Sequence, residues 1–185
     1  SSRQDGLIAV SLRDGDELDV VAELDFLGVQ YYTRLRAPFL PIPGLWTFPR
    51  FGGAEHGNEQ TSLGWEIIPE GLGLVLDAVH ACGAFDRIVV TEGGASFPDE
   101  LVDGRVRDDR RIAYYRRHLA QVAAARARGV PVDGYFAWSL LDNFEWAEGL
   151  EPRFGLVHVD YDTQVRTIKD SGYWFADQLG GSARP

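Results

Sequence analysis

The sequence predicts an α/β fold built on a parallel sheet, and three observations carry that expectation. Short apolar runs alternate with segments of helical periodicity in the order strand, helix, strand, helix, strand, helix, which implies right-handed βαβ units. The runs are nearly continuous rather than alternating in polarity, as strands buried on both faces require. Each run ends in polar and aromatic residues, and the functional groups of parallel α/β folds collect at the C-terminal ends of strands.

The first strand falls within Val20–Tyr32, where Leu24-Asp25-Phe26-Leu27-Gly28-Val29 is apolar without strict alternation. Residues 34–64 then carry Pro38, Pro41, Pro43, Gly44, Pro49, Gly52, Gly53 and Gly57, a density of breakers that argues against regular structure. Loops beyond about 12–15 residues are usually functional or disordered; here Phe39, Trp46, Phe48 and Phe51 favour an ordered, functional loop. Pro69-Glu70 starts a helix in which Leu72, Val75, Leu76 and Val79 recur at helical spacing until Gly83. Arg87-Ile88-Val89-Val90-Thr91 is the second strand. Asp108 or Asp109 caps the next helix, whose apolar stripe is Ile112, Tyr115, Leu119, Val122 and Ala123 and whose end is Gly129. Val132–Trp138 is the third strand. Leu156–Tyr161 and Val165–Thr167 flank Asp162-Thr163-Gln164 as a hairpin, and Ser171–Leu179 finishes as a helix.

Three such units form an incomplete sheet. Both edges would stay open, whereas closing a barrel takes eight strands and about 250 residues. The physics therefore predicts that part of the fold lies outside this sequence. The absence of methionine agrees, since Ser1 is then no initiator and either residues were removed or the sequence is incomplete.

With 185 residues, 45% hydrophobic and 12% aromatic, the chain can bury a sizeable core. The net charge of −10 and the single lysine, Lys169, leave no basic stripe for phosphates, so nucleic acid is excluded as a partner. No apolar stretch approaches the roughly 20 residues of a membrane span, and Ser1–Gly6 lacks a signal-peptide core, so no membrane is expected. Cys82 stands alone, which excludes an internal disulfide and favours a reducing compartment; on an apolar helix end it reads as a small buried residue. A cytoplasmic location is the expectation, supported by arginine almost wholly replacing lysine. His56, His80, His118 and His158 are scattered, and neither a metal nor a cofactor is expected. Arg105, Arg107, Arg110, Arg111, Arg116 and Arg117 alternate with acids around a helix start and read as a solvated face.

Chemistry concentrates at two strand ends. Thr91-Glu92-Gly93-Gly94 places a carboxylate beside two glycines that allow close approach; alone, an acidic residue at a strand end is more often an N-cap or an exposed loop charge. The segment from Trp138 through Asp142, Glu145, Trp146 and Glu148 to Gly149 interleaves aromatic rings with carboxylates. That suits a sugar, whose faces stack on indole while its hydroxyls seek charged acceptors. Plain packing of Trp138 and Trp146 is the competing reading.

A resemblance decides between these readings. Val-Thr-Glu-Gly-Gly-Ala around Glu92, with Phe97-Pro98-Asp99-Glu100 behind it, is similar to the nucleophile motif of the family-one glycoside hydrolases, the β-glucosidase family. The stretch from Gly134 through Gly155, the run Asp25–Arg34 and Gly64-Trp65-Glu66 extend the similarity over nearly the whole chain. The resemblance implies the C-terminal part, about the last three βα units, of a (β/α)8 TIM barrel, with residues 1–185 forming one segment of a single barrel domain whose N-terminal half is absent. It implies a retaining β-glycosidase, a β-glucosidase first, in which Glu92 is the nucleophile and Tyr32 orients it. Gln30 would belong to the substrate-binding set, its extra methylene bearing on the contacts around the nucleophile; Trp138 would form the floor under the terminal sugar, Glu145 would accept its hydroxyls with help from Trp146, Phe154 would close the side and Trp65 would flank the leaving group. A retaining enzyme also needs an acid/base carboxylate. In this family it belongs to an Asn-Glu-Pro motif that does not occur here, and Asn58-Glu59-Gln60 is no substitute. Gln30 and Gly93 each stand where the family usually has asparagine, which bears on fine specificity. A carboxylate at Glu145 would repel phosphate, so a neutral glucoside, galactoside or fucoside is expected as substrate.

Two other readings predict different behaviour. A truncated, non-catalytic carbohydrate-binding relative would bind sugar without turnover or labelling of Glu92. A half-barrel that needs a separate N-terminal chain would be active only on mixing.

Overall fold

The computed structural model describes residues 2–5, 8–11, 24–36, 50–51, 57–83 and 85–180. Strands β1 (Ser2–Asp5) and β2 (Ile8–Ser11) form an antiparallel pair that the sequence reading did not assign, although Asp5-Gly6 is a hairpin signal. Strand β3 (Leu27–Gln30) follows, and a short antiparallel pair joins β4 (Leu35–Arg36) to β5 (Arg50–Phe51). The breaker-rich segment thus contains some regular pairing, including an antiparallel bridge between Gln60 and Glu66. Phe39, Trp46 and Phe48 lie outside the described residues.

Helix α1 (Pro69–Ala81) has proline at its first turn, where a missing amide costs nothing, and leads to β6 (Ile88–Gly93). Strands β7 (Leu101–Val102) and β8 (Arg105–Val106) make a small hairpin ahead of α2 (Asp109–Ala127). Strand β9 (Val132–Ala137), a one-turn 3-10 helix (Trp146–Glu148), the hairpin of β10 (Val157–Val159) and β11 (Arg166–Ile168), and α3 (Asp170–Gln178) complete the order.

The central sheet is parallel, with β6 between β3 and β9. Leu72 and Leu76 of α1 and Val122 and Ala125 of α2 pack with Val29, Ile88, Val90 and Val132 of the sheet in one core. A second core joins Ile67, Ala95, Phe97, Tyr114, Tyr115 and Leu156, with Trp174 and Phe175 of α3 against it. The outer edges of β3 and β9 have no further strand beside them among the described residues. Phe136, the penultimate residue of β9, is 63% exposed, and Leu24 and Phe26 at the entry to β3 are exposed too.

Four expectations are corrected. The α2 stripe is rotated: its buried residues are Arg111, Tyr114, Tyr115, His118, Val122 and Ala125, while Ile112 and Leu119 are only half-buried and Ala123 is exposed. An apolar count misses this face because four of its six side chains, Arg111, Tyr114, Tyr115 and His118, carry polar tips. Arg111, read as part of a solvated face, is fully buried between Asp99 and Asp108. Asp108 does occupy the N-cap position of α2, but its carboxylate makes no capping bond and takes Arg111 and the amide and hydroxyl of Ser171 instead. Cys82 is exposed at the end of α1, its thiol 3.3 Å from the Ala78 carbonyl.

Candidate active site

Glu92 is the fifth of the six residues of β6, one residue beyond the expected strand end. Its neighbour β3 carries a register shift between Val29 and Gln30 that pairs Gln30 with Glu92. Such an irregularity re-aims a side chain. Here the Gln30 amide donates to Glu92 Oε1 at 2.8 Å, and the Tyr32 hydroxyl donates to Oε2 at 2.6 Å. The Tyr31 amide also donates to the Glu92 carbonyl at 3.0 Å, so main chain and side chain of the glutamate are both tied to the end of β3.

Tyr32 is held by two other rings. Its ring meets Trp65 edge-on at 5.7 Å and Phe154 edge-on at 6.3 Å, and Trp65 and Phe154 lie 6.1 Å apart. Burial, then the hydrogen bond and negative charge of Glu92, then the charge of Glu145, push the Tyr32 phenol well above its ordinary value. It therefore remains protonated, a permanent donor to the carboxylate. Behind Trp65, the fully buried Glu66 takes the Arg34 guanidinium at 3.0 Å and the Asn58 amide at 3.2 Å, and its carbonyl accepts from the Thr33 hydroxyl at 2.7 Å. This clamp anchors the Trp65 segment to the chain leaving β3.

Trp138 directly follows β9, and its amide donates to the Gly93 carbonyl at 3.0 Å. Its indole donates to Glu145 Oε1 at 3.1 Å. Phe154 is 2% exposed, and its carbonyl accepts from the Ser139 amide at 3.3 Å. Trp146 opens the 3-10 turn and is 85% exposed. The structure thus gathers Glu92, Gln30, Tyr32, Trp65 and Phe154 at one strand end and joins Trp138 to Glu145 at the next, while Trp146 points most of its surface to solvent.

A supporting device was not foreseen. Asp142 is buried and accepts from Lys169 at 2.7 Å, Arg153 at 3.2 Å and the amides of Gly155 and Val159. Lys169 also bonds Asp99, which in turn holds Arg111 at 2.9 Å, and Arg111 reaches the Arg153 carbonyl at 2.6 Å. Three carboxylates and three cations thus tie the segment after Glu92, the start of α2, the base of α3 and the Glu145 loop together. Burial and the adjacent Arg111 lower the Lys169 ammonium from its ordinary value, against Asp99 and Asp142, while Asp99 and Asp108 raise Arg111 against its burial. The Lys169 contacts span 70 and 27 residues, so no linear pattern could reveal them. Among the described residues no group of three or more His, Cys, Asp or Glu side chains is arranged to hold a metal, and no helix is long and apolar enough to cross a membrane.

The chain is 44% identical over 167 residues to a 1,4-β-D-glucan glucohydrolase of Thermotoga neapolitana, covering 90% of this chain and 37% of that protein. It is 44% identical over 164 residues to β-glucosidase A of Thermotoga maritima, covering 88% of this chain and 36% of the relative. A solved structure of a β-glucosidase from Thermotoga maritima in complex with glucoimidazole superposes with a TM-score of 0.78 at 42% identity, over 88% of this chain and 36% of that one. The chain therefore spans a little over a third of the length of the relatives it matches. The model of glycosyl hydrolase family 1 matches residues 2–180, and it is to this family that the chain belongs.

Proposed function

We propose that this chain supplies the nucleophile side of a retaining β-glycosidase, a β-glucosidase first, which removes the terminal non-reducing β-D-glycosyl residue through a covalent glycosyl-enzyme on Glu92. The observation that carries the reading is the grip on Glu92: both carboxylate oxygens accept from side chains at the end of β3, and one of the donors, Tyr32, is locked between rings. In the first step a Glu92 oxygen bonds to the anomeric carbon as the glycosidic bond breaks and the leaving oxygen takes a proton. In the second, water attacks the same carbon and Glu92 departs as a carboxylate. The acid/base that gives and retakes the proton must stand about 5–5.5 Å from Glu92. We assign it to a carboxylate outside this sequence.

In the same reading β3, β6 and β9 are the last three strands of a closed eight-stranded barrel, and residues 1–185 form one segment of that single domain. That β3 and β9 have no further strand beside them among the described residues, and that Phe136 is exposed, support it. Trp138 would lie under the sugar, Glu145 would accept its hydroxyls and Trp65 would flank the leaving group, as the indole-to-carboxylate bond and the aromatic wall favour. A carboxylate at Glu145 favours a neutral sugar over a phosphorylated one.

The test uses the full-length protein that carries this chain and a fluorinated β-glucoside with a dinitrophenyl leaving group, which forms the glycosyl-enzyme and hydrolyses slowly. One equivalent of dinitrophenolate should be released and one fluoroglucosyl group should be found on Glu92. Turnover without a covalent adduct, or an adduct on another residue, overturns the proposal.

A further inference from the structure

Lysine and arginine together number 18 in this chain, and Lys169 is the single lysine among them. A chain that elsewhere uses a guanidinium for its cations keeps an ammonium at this one position. Its surroundings differ from those of a surface charge. Lys169 is fully buried, its amide donates to the Leu156 carbonyl at 3.0 Å, and its Nζ lies between two buried carboxylates, donating to Asp99 Oδ2 and, at 2.7 Å, to Asp142 Oδ1. Main chain and tip are both fixed. An ammonium is a compact point charge that serves two carboxylates from one atom, whereas a guanidinium is a planar fork that would spread them apart.

The two carboxylates belong to the two sides of the candidate site. Asp99 lies on the segment that follows Glu92 out of β6, and Arg111 seats that segment by donating to the Ala95 carbonyl at 3.3 Å and to Asp99 at 2.9 Å. Asp142 stands just before Glu145 and accepts from the Gly155 and Val159 amides, so it joins the start of the Glu145 loop to its return. The join is tight. An ideal Cβ on Gly155 would collide with the Asp142 nitrogen and lie 2.5 Å from the Leu141 carbonyl carbon, so the returning chain lies flat on the outgoing one. Glu145, whose carboxylate accepts from the Trp138 indole, therefore moves with Asp142. The Trp138 amide and the Gly93 carbonyl connect the two sides at the strand ends, and Lys169 connects them again beyond those ends. We propose that Lys169 is a positioning residue for the sugar pocket: one ammonium, shared between Asp99 and Asp142, sets the offset of Glu145 from Glu92 and with it the room left for the terminal sugar.

This inference rests on the proposed roles of Glu92 and Glu145, and the experiment separates them from it. The full-length protein carrying this chain is compared with its Lys169→Arg, Lys169→Met and Glu145→Gln variants, and with the variant doubly substituted by Lys169→Arg and Glu145→Gln. The measurements are kcat/KM on 4-nitrophenyl β-glucoside and thermal unfolding. Lys169→Arg keeps the charge and should unfold nearer the wild type than Lys169→Met, yet its kcat/KM should fall by about 10- to 10²-fold, the scale of an ångström-sized misplacement. In the Glu145→Gln background the same arginine should cost several-fold less, because both substitutions damage one interaction. A residue that only stabilises the fold would lower the rate equally in both backgrounds. If Lys169→Arg does not fold, Asp142→Glu, which lengthens the same link from its other end, takes its place in the comparison. Wild-type kcat/KM in the substituted protein, an equal loss with and without Glu145, or failure of both variants to fold overturns the inference. A wild-type protein that does not hydrolyse the glucoside, or a Glu145→Gln variant with wild-type kcat/KM, overturns the proposed function instead.

Discussion

Replacing Tyr32 by phenylalanine isolates one hydrogen bond. The ring keeps its edge contacts with Trp65 and Phe154, Gln30 still holds Oε1, and only the 2.6 Å donor to Glu92 Oε2 is lost. A hydrogen bond to a charged group contributes about 1.5–3 kcal/mol. In the proposed mechanism that donor stabilises the charge of Glu92 in the free enzyme and slightly weakens it as a nucleophile, while aiming it. In the proposed glycosyl-enzyme the charge is gone, and it would return as Glu92 leaves. The donor therefore favours the second step most. At about 1.36 kcal/mol per tenfold, hydrolysis of the glycosyl-enzyme should slow by about 10- to 160-fold. Steady-state and rapid-quench kinetics on the full-length protein should show a lower kcat, a lower apparent KM and a pre-steady-state burst. A Tyr32→Phe enzyme whose kcat stays within about threefold of the wild type, with no accumulated intermediate, would refute this reasoning.

Glu145→Gln keeps an acceptor for the Trp138 indole but removes the charge; kcat/KM on a neutral β-glucoside should fall by about 10- to 160-fold, with discrimination against the 6-phosphorylated sugar reduced. Lys169→Met leaves Asp99 and Asp142 buried without their shared ammonium; breaking such a pair costs about 3–5 kcal/mol, and a loss below about 1 kcal/mol in denaturant unfolding would mean the network is not structural. Burial lowers His118 to about 4 from 6.5, while its Nδ1 lies 2.8 Å from the Tyr114 carbonyl. A depressed histidine contributes stability that is complete above the unfolded pKa and is lost as pH falls through the folded one. Stability should thus decline from pH 6.5 toward pH 4 by up to about 3 kcal/mol from this group, and His118→Phe should flatten that part of the unfolding profile.

The sequence by itself determined the α/β class, the order of the three parallel strands and three helices and the hairpin at residues 157–168. Apolar periodicity, Pro69 and the turn residues act over a few neighbours, so they are legible in a linear string. It also marked Glu92, Trp138 and Glu145 as candidates, because they stand at strand ends. Only the tertiary structure decided what holds them. Gln30 and Tyr32 meet Glu92 across about sixty positions of sequence, through the local register of β3 on β6. Arg111 reads as a surface charge in the string and is buried in the fold, as is Lys169, since a charge is tolerated inside when carboxylates from distant segments converge on it.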